Sequence, residues 1–349
     1  MHKFAVIGTN FVTDWLISAS CEVKGVELAA VYSRTEERGR VYAAQHGASR
    51  VYTDLSALAE DTDIDFVYIA SPNLCHAPQA IALLDAGKHV LCEKPIAPDL
   101  TSFDAMRAAA ARNRLVLMEA MVCAHLPCWR SIRETLTEIA PIRRASFTFC
   151  QYSSRYDKFK AGIVENAFNP KLCNGALMDL GVYTLAAAQL VFGTPDTIRA
   201  SMLRIPGGID SAGSVTLTYT HADPLTSGGA IADISYSKIS QGANPCEIQG
   251  ERGSLIIDSI TRPKAWKLLP RDGSRGDGVR VAAADIGPRT LDVTPARHPM
   301  AYELAEFIRQ IDEGKYARYL DASRAVIAVM DEARRQTGLA FDERITPNA

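Results

Sequence analysis

The chain has 349 residues, of which 47% are hydrophobic and 22% charged, and its formal net charge is -2. Domains usually run to roughly 100–200 residues, so this length sets two domains as the natural expectation. Acidic and basic residues nearly cancel and no Lys/Arg run spans more than a few positions, which argues against a nucleic-acid or anionic-membrane surface. The apolar run at Met1–Gly8 is too short for a signal-peptide core, and no stretch approaches the ~20 apolar residues that cross a bilayer, so a soluble, cytoplasmic protein is expected. The eight cysteines are scattered and mostly lie inside apolar segments, as reduced core residues do. Only Cys123-Ala124-His125-Leu126-Pro127-Cys128 resembles ligand spacing, and with no second pair beyond it no metal is expected.

In chain order, Phe4–Ile7 is a short apolar run ending at Gly8, and Val12, Trp15, Leu16 and Ala19 fall on one helical face behind it. Val26–Tyr32 predicts the next strand, and Phe66–Ala70 a parallel strand buried on both faces. A helix over His76–Ala86 stops at Gly87, a residue suited to a left-handed C-terminal cap. Val90–Cys92, a helix over Ser102–Arg112 and a strand at Leu115–Met118 complete the series. Repeated βα units of this length predict a doubly wound parallel sheet, a Rossmann domain over residues 1–120.

From Met121 the pattern changes. A helix is expected over Pro127–Glu138, followed by longer, partly alternating strands at Arg144–Tyr152, Thr197–Leu203, Ser214–Thr220, Ala230–Ser237 and Ser254–Asp258. A long helix over Gly175–Val191 interrupts them. Met300, Leu304, Phe307, Ile308 and Ile311 share one face of a later helix, and a last helix runs over Ala322–Thr337 with Asp321 as its expected cap and Gly338 as its stop. Residues 121–349 thus read as an α+β domain on an open-faced, mainly antiparallel sheet, serving substrate binding and oligomerisation. Arg271–Gly278, rich in glycine and charge, reads as a mobile loop.

Gly8-Thr9-Asn10-Phe11-Val12-Thr13 stands between the first strand and the first helix, where backbone N–H groups and the helix dipole face a pyrophosphate. The G-x-G-x-x-G fingerprint is incomplete, with Asn10 and Thr13 in place of its second and third glycines. Asn tolerates a left-handed backbone, so the turn is expected to survive, with the Asn10 side chain crowding or contacting the phosphates. At the end of the second strand stand Ser33-Arg34-Thr35, with Arg38 and Arg40 close behind and no acidic residue. Hydroxyls and a guanidinium suit the 2′-phosphate of NADP, where a carboxylate would bind the 2′-hydroxyl of NAD; NADP is therefore expected ahead of NAD, a solvated arginine cluster being the bland alternative.

Three further segments are Ser71-Pro72-Asn73 with His76, Gly87 to Glu93-Lys94-Pro95, and Gly175 to Asp179-Leu180-Gly181-Val182-Tyr183. With these motifs at these separations the chain resembles, over nearly its whole length, the glucose–fructose oxidoreductase and inositol dehydrogenase family (Gfo/Idh/MocA). The last segment and Met118-Glu119-Ala120 are similar to the branch of dimeric dihydrodiol dehydrogenases, where Tyr stands at the position of His in inositol dehydrogenases. The resemblance implies NAD(P)-dependent hydride transfer at a hydroxyl or carbonyl of a sugar, polyol or dihydrodiol, with Lys94, Asp179 and Tyr183 catalytic. It places Asn73 and His76 along the cofactor, beside Gly8, Thr9, Asn10, Phe11, Ser33, Arg34, Thr35, Arg38, Ser71, Pro72, Glu93 and Lys94. Family members also dimerise through the open sheet, so a homodimer is expected, or a tetramer.

The residues carry part of this on their own terms. Glu93 and Lys94 lie just past the end of a buried-type strand, at the ligand crevice of a parallel sheet. Asp179 and Tyr183, at i and i+4, share a helix face. Gly175 and Gly181 cost roughly 1 kcal/mol each in a helix, a cost easier to understand where the backbone lies close to a ligand. Tyr183 is too weak an acid near neutrality unless a cation such as Lys94 favours its phenolate. The loop from Arg155 to Cys173 is expected to supply specificity, and its mixture of polar and aromatic residues leaves sugar and dihydrodiol open. Two other functions remain on this fold: a dinucleotide-binding regulator without turnover, and an NAD-dependent glycoside hydrolase.

Overall fold

The computed structural model describes residues 1–221, 223–271, 287–316 and 318–341. Beyond its first residue, the loop expected over Arg271–Gly278 lies outside the described residues.

Continuous apolar runs make the first sheet. Its chain order is β1 (His2–Ile7), α1 (Phe11–Ser20), β2 (Val26–Tyr32), α2 (Glu36–His46), β3 (Arg50–Tyr52), α3 (Leu55–Glu60), β4 (Phe66–Ile69), α4 (Asn73–Asp85), β5 (His89–Glu93), α5 (Leu100–Asn113) and β6 (Leu117–Ala120). All six strands are parallel in the order β3-β2-β1-β4-β5-β6. Every residue of β4 is 0% exposed, because helices cover both faces. The sheet reverses direction of growth between β1 and β4, and a doubly wound sheet opens its ligand crevice at the C-terminal ends of such a pair. Those ends nearly touch: a Cβ on Gly8, whose φ is +112°, would stand 2.5 Å from the Ala70 carbonyl oxygen.

The α2–β3–α3 stretch was not expected from the sequence. Its first helix, EERGRVYAAQH, has little apolar periodicity, and its strand is three residues long.

After β6 come α6 (Val122–His125), α7 (Cys128–Ile139), β7 (Ile142–Cys150), α8 (Tyr156–Lys160) and two short 3₁₀ turns. A π-helical turn at Leu177–Gly181 then runs into α9 (Val182–Phe192). Strands β8 (Thr197–Arg204), β9 (Asp210–Tyr219), β10 (Ala230–Ser237), β11 (Cys246–Gly250), β12 (Gly253–Ile257), β13 (Ala265–Pro270) and β14 (Arg289–Asp292) follow. They form an eight-stranded sheet, β14-β13-β12-β11-β7-β10-β9-β8, antiparallel except where β7 meets β10. That parallel pair brings two strand C-termini side by side, Cys150 opposite Ser237.

Two helices close the chain, α10 (Pro299–Glu313) and α11 (Leu320–Thr337). The apolar face of α10, with Met300, Leu304, Phe307 and Ile308, packs on the first sheet; Phe307 meets Phe66 edge-on at 5.2 Å, and Phe66 stacks on Phe4 at 5.1 Å. The C-terminal segment thus reaches back to the N-terminal sheet. Helix α11 packs against α9 and β8. It starts at Leu320 behind a left-handed Tyr319, so Asp321 is not its cap; Asp321 lies in the first turn and pairs with Arg107 at 2.8 Å. One helical run, Pro170–Phe192, is long and apolar enough to span a bilayer by length and composition, and its apolar window is 78% buried inside the protein.

The second sheet has two unlike faces. On one parity Val215, Leu217, Tyr219, Ala232, Ile234 and Tyr236 are buried under the helices. On the other, Ser214, Thr216, Thr218, Asp233 and Ser235 stay partly open, with Ile231 42% exposed.

Candidate active site

Four elements converge where the two sheets meet. Strand β5 ends in Glu93 and hands on Lys94; the π-turn carries Asp179 and α9 carries Tyr183; Lys238 follows the last residue of β10. The Lys94 ammonium donates to Asp179 Oδ1 at 3.1 Å and to the Asp179 carbonyl at 3.2 Å. Lys238 approaches the other carboxylate oxygen, Oδ2, at 3.0 Å and donates to the Ala167 carbonyl at 2.7 Å. One carboxylate is therefore held between two ammonium groups. The Lys94 ammonium also lies 4.7 Å from the centroid of the Tyr183 ring, and Phe149 meets that ring edge-on at 5.8 Å.

Electrostatics follow from this packing. Burial works to raise the Asp179 carboxyl, but Lys94 and Lys238 outweigh it and hold the group well below the usual carboxylate range. Burial likewise works to lower Lys94, yet the anionic partners around it win and keep it an ammonium. For Tyr183 burial is the largest effect, Lys94 opposes it, and Glu93 adds to it; the phenol is pushed up. Lys94 thus favours the phenolate, as expected, but burial outweighs it and Tyr183 rests as a neutral phenol.

The helix that delivers Asp179 and Tyr183 is locked from behind. Asp210 accepts from the Leu177 amide at 2.6 Å, capping the π-turn. A Cβ on Gly175 would stand 1.8 Å from Asp210 Oδ1, and one on Gly181 would stand 3.1 Å from the Tyr236 ring. These two glycines make room for protein neighbours rather than for a ligand. The π-turn widens the spacing locally, and such turns concentrate at functional sites.

The cluster opens into a cleft of about 490 Å³. Its polar wall includes Glu93, Lys94, Gln151, Ser153, Ser154 and Arg155, and its apolar wall Phe11, Val12, Trp15, Val122 and Met300. Arg155 stands 6.0 Å from the Phe11 ring, and Arg262 5.0 Å from the Trp15 ring, so side chains of the second domain reach over α1. Within the loop expected to supply specificity, Arg155 faces this cleft. Tyr156, Phe159 and Phe168 stack on one another and line a separate apolar cavity of about 480 Å³.

On the dinucleotide side, Asn10 departs from expectation. Its Oδ1 accepts from the Val12 and Thr13 amides at 3.0 and 3.2 Å, capping α1, while its Nδ2 donates to the Ala70 carbonyl at 2.8 Å. The side chain thus ties the β1 turn to the end of β4. Arg38 donates to Thr9 Oγ1 at 2.5 Å and to the Thr9 carbonyl at 2.7 Å, bracing the same turn. Ser33 is buried with its amide on the Tyr52 carbonyl, whereas Arg34 and Thr35 are exposed at the mouth of β2. Arg40 turns away to Glu36 at 2.5 Å.

Around α4 the expected residues serve as ties between parts. Pro72 caps the helix start. Ser71 Oγ donates to Gln79 at 2.7 Å. Asn73 Nδ2 donates to the Cys173 carbonyl at 2.8 Å and to Asn174 at 3.0 Å, joining the first domain to the loop ahead of the Asp179 turn. His76 is 1% exposed and bridges the carbonyls of Ser71 and Pro95 at 2.9 and 3.0 Å, fixing the backbone on either side of the crevice. Neither Asn73 nor His76 lines the cleft.

Among the described residues no group of three or more His, Cys, Asp or Glu side chains could hold a metal ion; burial pushes the Cys128 thiol up to about 11 and His125 down to about 4.

Three residues escaped sequence reasoning. Lys238 follows an alternating strand and belongs to no motif; the parallel β7–β10 pairing brings it to Asp179. Glu303 and Arg262 carried no local signal, since both come to the cleft from elements far along the chain. The crevice fits a dinucleotide: a positive-φ glycine at the β1–β4 switch point, a helix N-terminus behind it, and a cleft lined by both apolar and charged side chains.

Residues 2–121 match the family model described as oxidoreductase family, NAD-binding Rossmann fold, and residues 137–256 match the GFO/IDH/MocA C-terminal domain. The chain is 40% identical over 98% of its length, and 98% of the relative's, to the scyllo-inositol 2-dehydrogenase (NADP(+)) IolU of Bacillus subtilis (strain 168). It is 28% identical to a trans-1,2-dihydrobenzene-1,2-diol dehydrogenase of Danio rerio, covering 91% of this chain and 90% of that one. In fold it is similar to KijD10, a 3-ketoreductase from Actinomadura kijaniata crystallised with NADP and TDP-benzene, at a TM-score of 0.80 and 22% identity over 96% of this chain and 98% of that one. The chain belongs to the Gfo/Idh/MocA family of NAD(P)-dependent oxidoreductases.

Proposed function

We propose that this protein is a cytoplasmic, NADP-preferring dehydrogenase that interconverts a hydroxyl and a carbonyl on a cyclic polyol or related sugar, with Lys94, Asp179 and Tyr183 as its catalytic residues. In this reading residues 1–120 hold the dinucleotide and residues 121–349 the substrate. The observation that carries it is the cleft-facing cluster in which Asp179 is clamped between Lys94 and Lys238, with Tyr183 beneath Lys94. A polyol is favoured over a dihydrodiol because Gln151, Ser153, Ser154 and Arg155 line the cleft while the loop aromatics turn to the other cavity. The 40% identical relative named as an NADP(+)-dependent scyllo-inositol 2-dehydrogenase supports the same class.

The bound dinucleotide supplies or accepts the hydride; the protein handles the proton. In reduction, the Lys94 ammonium polarises the substrate carbonyl and the neutral Tyr183 phenol gives the proton to its oxygen. The phenolate that results is favoured by the adjacent ammonium and is reprotonated from solvent through the open cleft. In oxidation the steps run in reverse: Tyr183 first releases its proton to solvent, its phenolate takes the hydroxyl proton, and the Lys94 ammonium steadies the charge on the substrate oxygen. Asp179 keeps Lys94 charged and fixes its direction; its side chain is 38% exposed to the cleft and also meets substrate hydroxyls.

K94A and Y183F are expected to lower kcat by a factor on the order of a hundred or more with an intact fold, measured at 340 nm against a panel of inositols and aldoses. Near-wild-type turnover in Y183F would make Tyr183 a packing residue. Arg34 is exposed just beyond the C-terminal end of β2, where the ribose of a dinucleotide is expected in such a fold. R34A is expected to weaken NADP binding about tenfold or more while sparing NAD, since a charge-assisted hydrogen bond is worth about 1.5–3 kcal/mol. Equal loss for both nucleotides in titration calorimetry would remove that assignment.

Assembly belongs to the same reading. The open face of the second sheet is Ser- and Thr-rich, carries the Arg144–Asp233 pair at 2.5 Å and exposes Ile231, a surface suited to a twofold copy of itself. A homodimer through this face is expected, or a tetramer built from it. A monomer mass by light scattering at micromolar concentration would contradict it.

A further inference from the structure

Among the buried side chains of the described residues, Glu303 is the one whose two carboxyl oxygens both lack a hydrogen-bond partner. It is 0% exposed, sits near the start of α10, and lines the cleft beside Glu93. Its carboxylate neighbours are provided for. Glu119 accepts from the Ile96 amide at 3.0 Å and from Ser323 Oγ at 2.7 Å. Glu93 accepts from Tyr68 at 2.5 Å and from the Lys94 amide at 3.2 Å. Burial, with Glu93 and Glu119 close by, pushes the Glu303 carboxyl well up, so it rests as a neutral acid.

A buried carboxyl with no partner in the protein costs stability, and one that lines a cleft is placed to meet what enters it. The chemistry of that ligand can be read from the walls. The cleft that Glu303 lines also carries Phe11, Val12, Trp15, Val122 and Met300, apolar surfaces that suit a flat ring. A neutral carboxylic acid presents one donor and one acceptor side by side, the complement of a primary carboxamide, which presents one acceptor and an N–H donor. We propose that Glu303 reads the carboxamide of the nicotinamide, donating to its oxygen and accepting from its amino group. This rests on the reading above that the cleft takes NADP.

The test compares NADP(+) with its 3-acetylpyridine analogue, in which a methyl group replaces the amino group, by titration calorimetry on the full-length protein. Wild type is expected to bind NADP(+) about tenfold more tightly than the analogue, the scale of one hydrogen bond. E303Q, which keeps a donor and an acceptor, should retain most of that ratio. E303L should bring it to within about twofold, while the melting temperature of the nucleotide-free protein stays equal to or above wild type. E303M, unbranched and close in volume, repeats the comparison should E303L not fold. A full ratio in E303L or E303M, or no preference in a wild type that binds NADP(+), overturns the assignment. A change in substrate KM with the nucleotide ratio untouched overturns it too, since Glu303 would then face the substrate. A wild type that binds neither nucleotide refutes the cofactor reading itself.

Discussion

The carboxylate of Asp179 is the point on which the site depends. Each charge there is drawn from a different part of the fold: Lys94 from the end of the first sheet, Lys238 from the end of the second, Asp179 from the helix between them. Buried charges persist only when paired, and removing one partner leaves the others uncompensated. The ion cluster therefore does two things. It pins two sheets and a helix in one register, and it keeps Lys94 cationic beside a phenol that burial would otherwise hold proton-bound through the reaction. Asp210 behind the π-turn and Gly181 against Tyr236 are the supports that let the helix bring Asp179 to that point.

The crevice shows how a damaged motif survives. Asn10 and Thr13 stand where the fingerprint has its second and third glycines. Asn10 instead supplies the cap for α1 and a tie to Ala70, and Arg38 braces Thr9, so the turn is held by side chains where glycines would have held it by close packing. Only Gly8 is irreplaceable, because the Ala70 carbonyl stands where its Cβ would be.

What the sequence made legible was whatever is written in local periodicity. The parallel sheet could be read because Phe4–Ile7 and Phe66–Ile69 are unbroken apolar runs, and the face of α10 because its apolar residues recur at helical spacing. Lys94, Asp179 and Tyr183 were legible through motif resemblance. Elements with weak periodicity, α2 and β3 above all, were not. Nor were residues whose place is set by distant packing: Lys238 reaches Asp179 from a strand that lies parallel to β7, and Glu303 reaches the cleft because α10 returns to the N-terminal sheet. The burial of Tyr183, which outweighs Lys94 and keeps the phenol neutral, is a three-dimensional fact with no sequence counterpart.

The pH dependence of carbonyl reduction by D179N tests the central claim most directly. In the wild type, Lys94 and Tyr183 both stay protonated well above neutrality, so kcat/KM should hold as pH rises and fall only far into the alkaline range. Without the anion, burial is less opposed and Lys94 releases its proton at lower pH, so the alkaline limb should move down by about one unit or more. An unmoved limb at undiminished kcat/KM would contradict the account, because Asp179 would then neither hold the charge on Lys94 nor matter to the reaction.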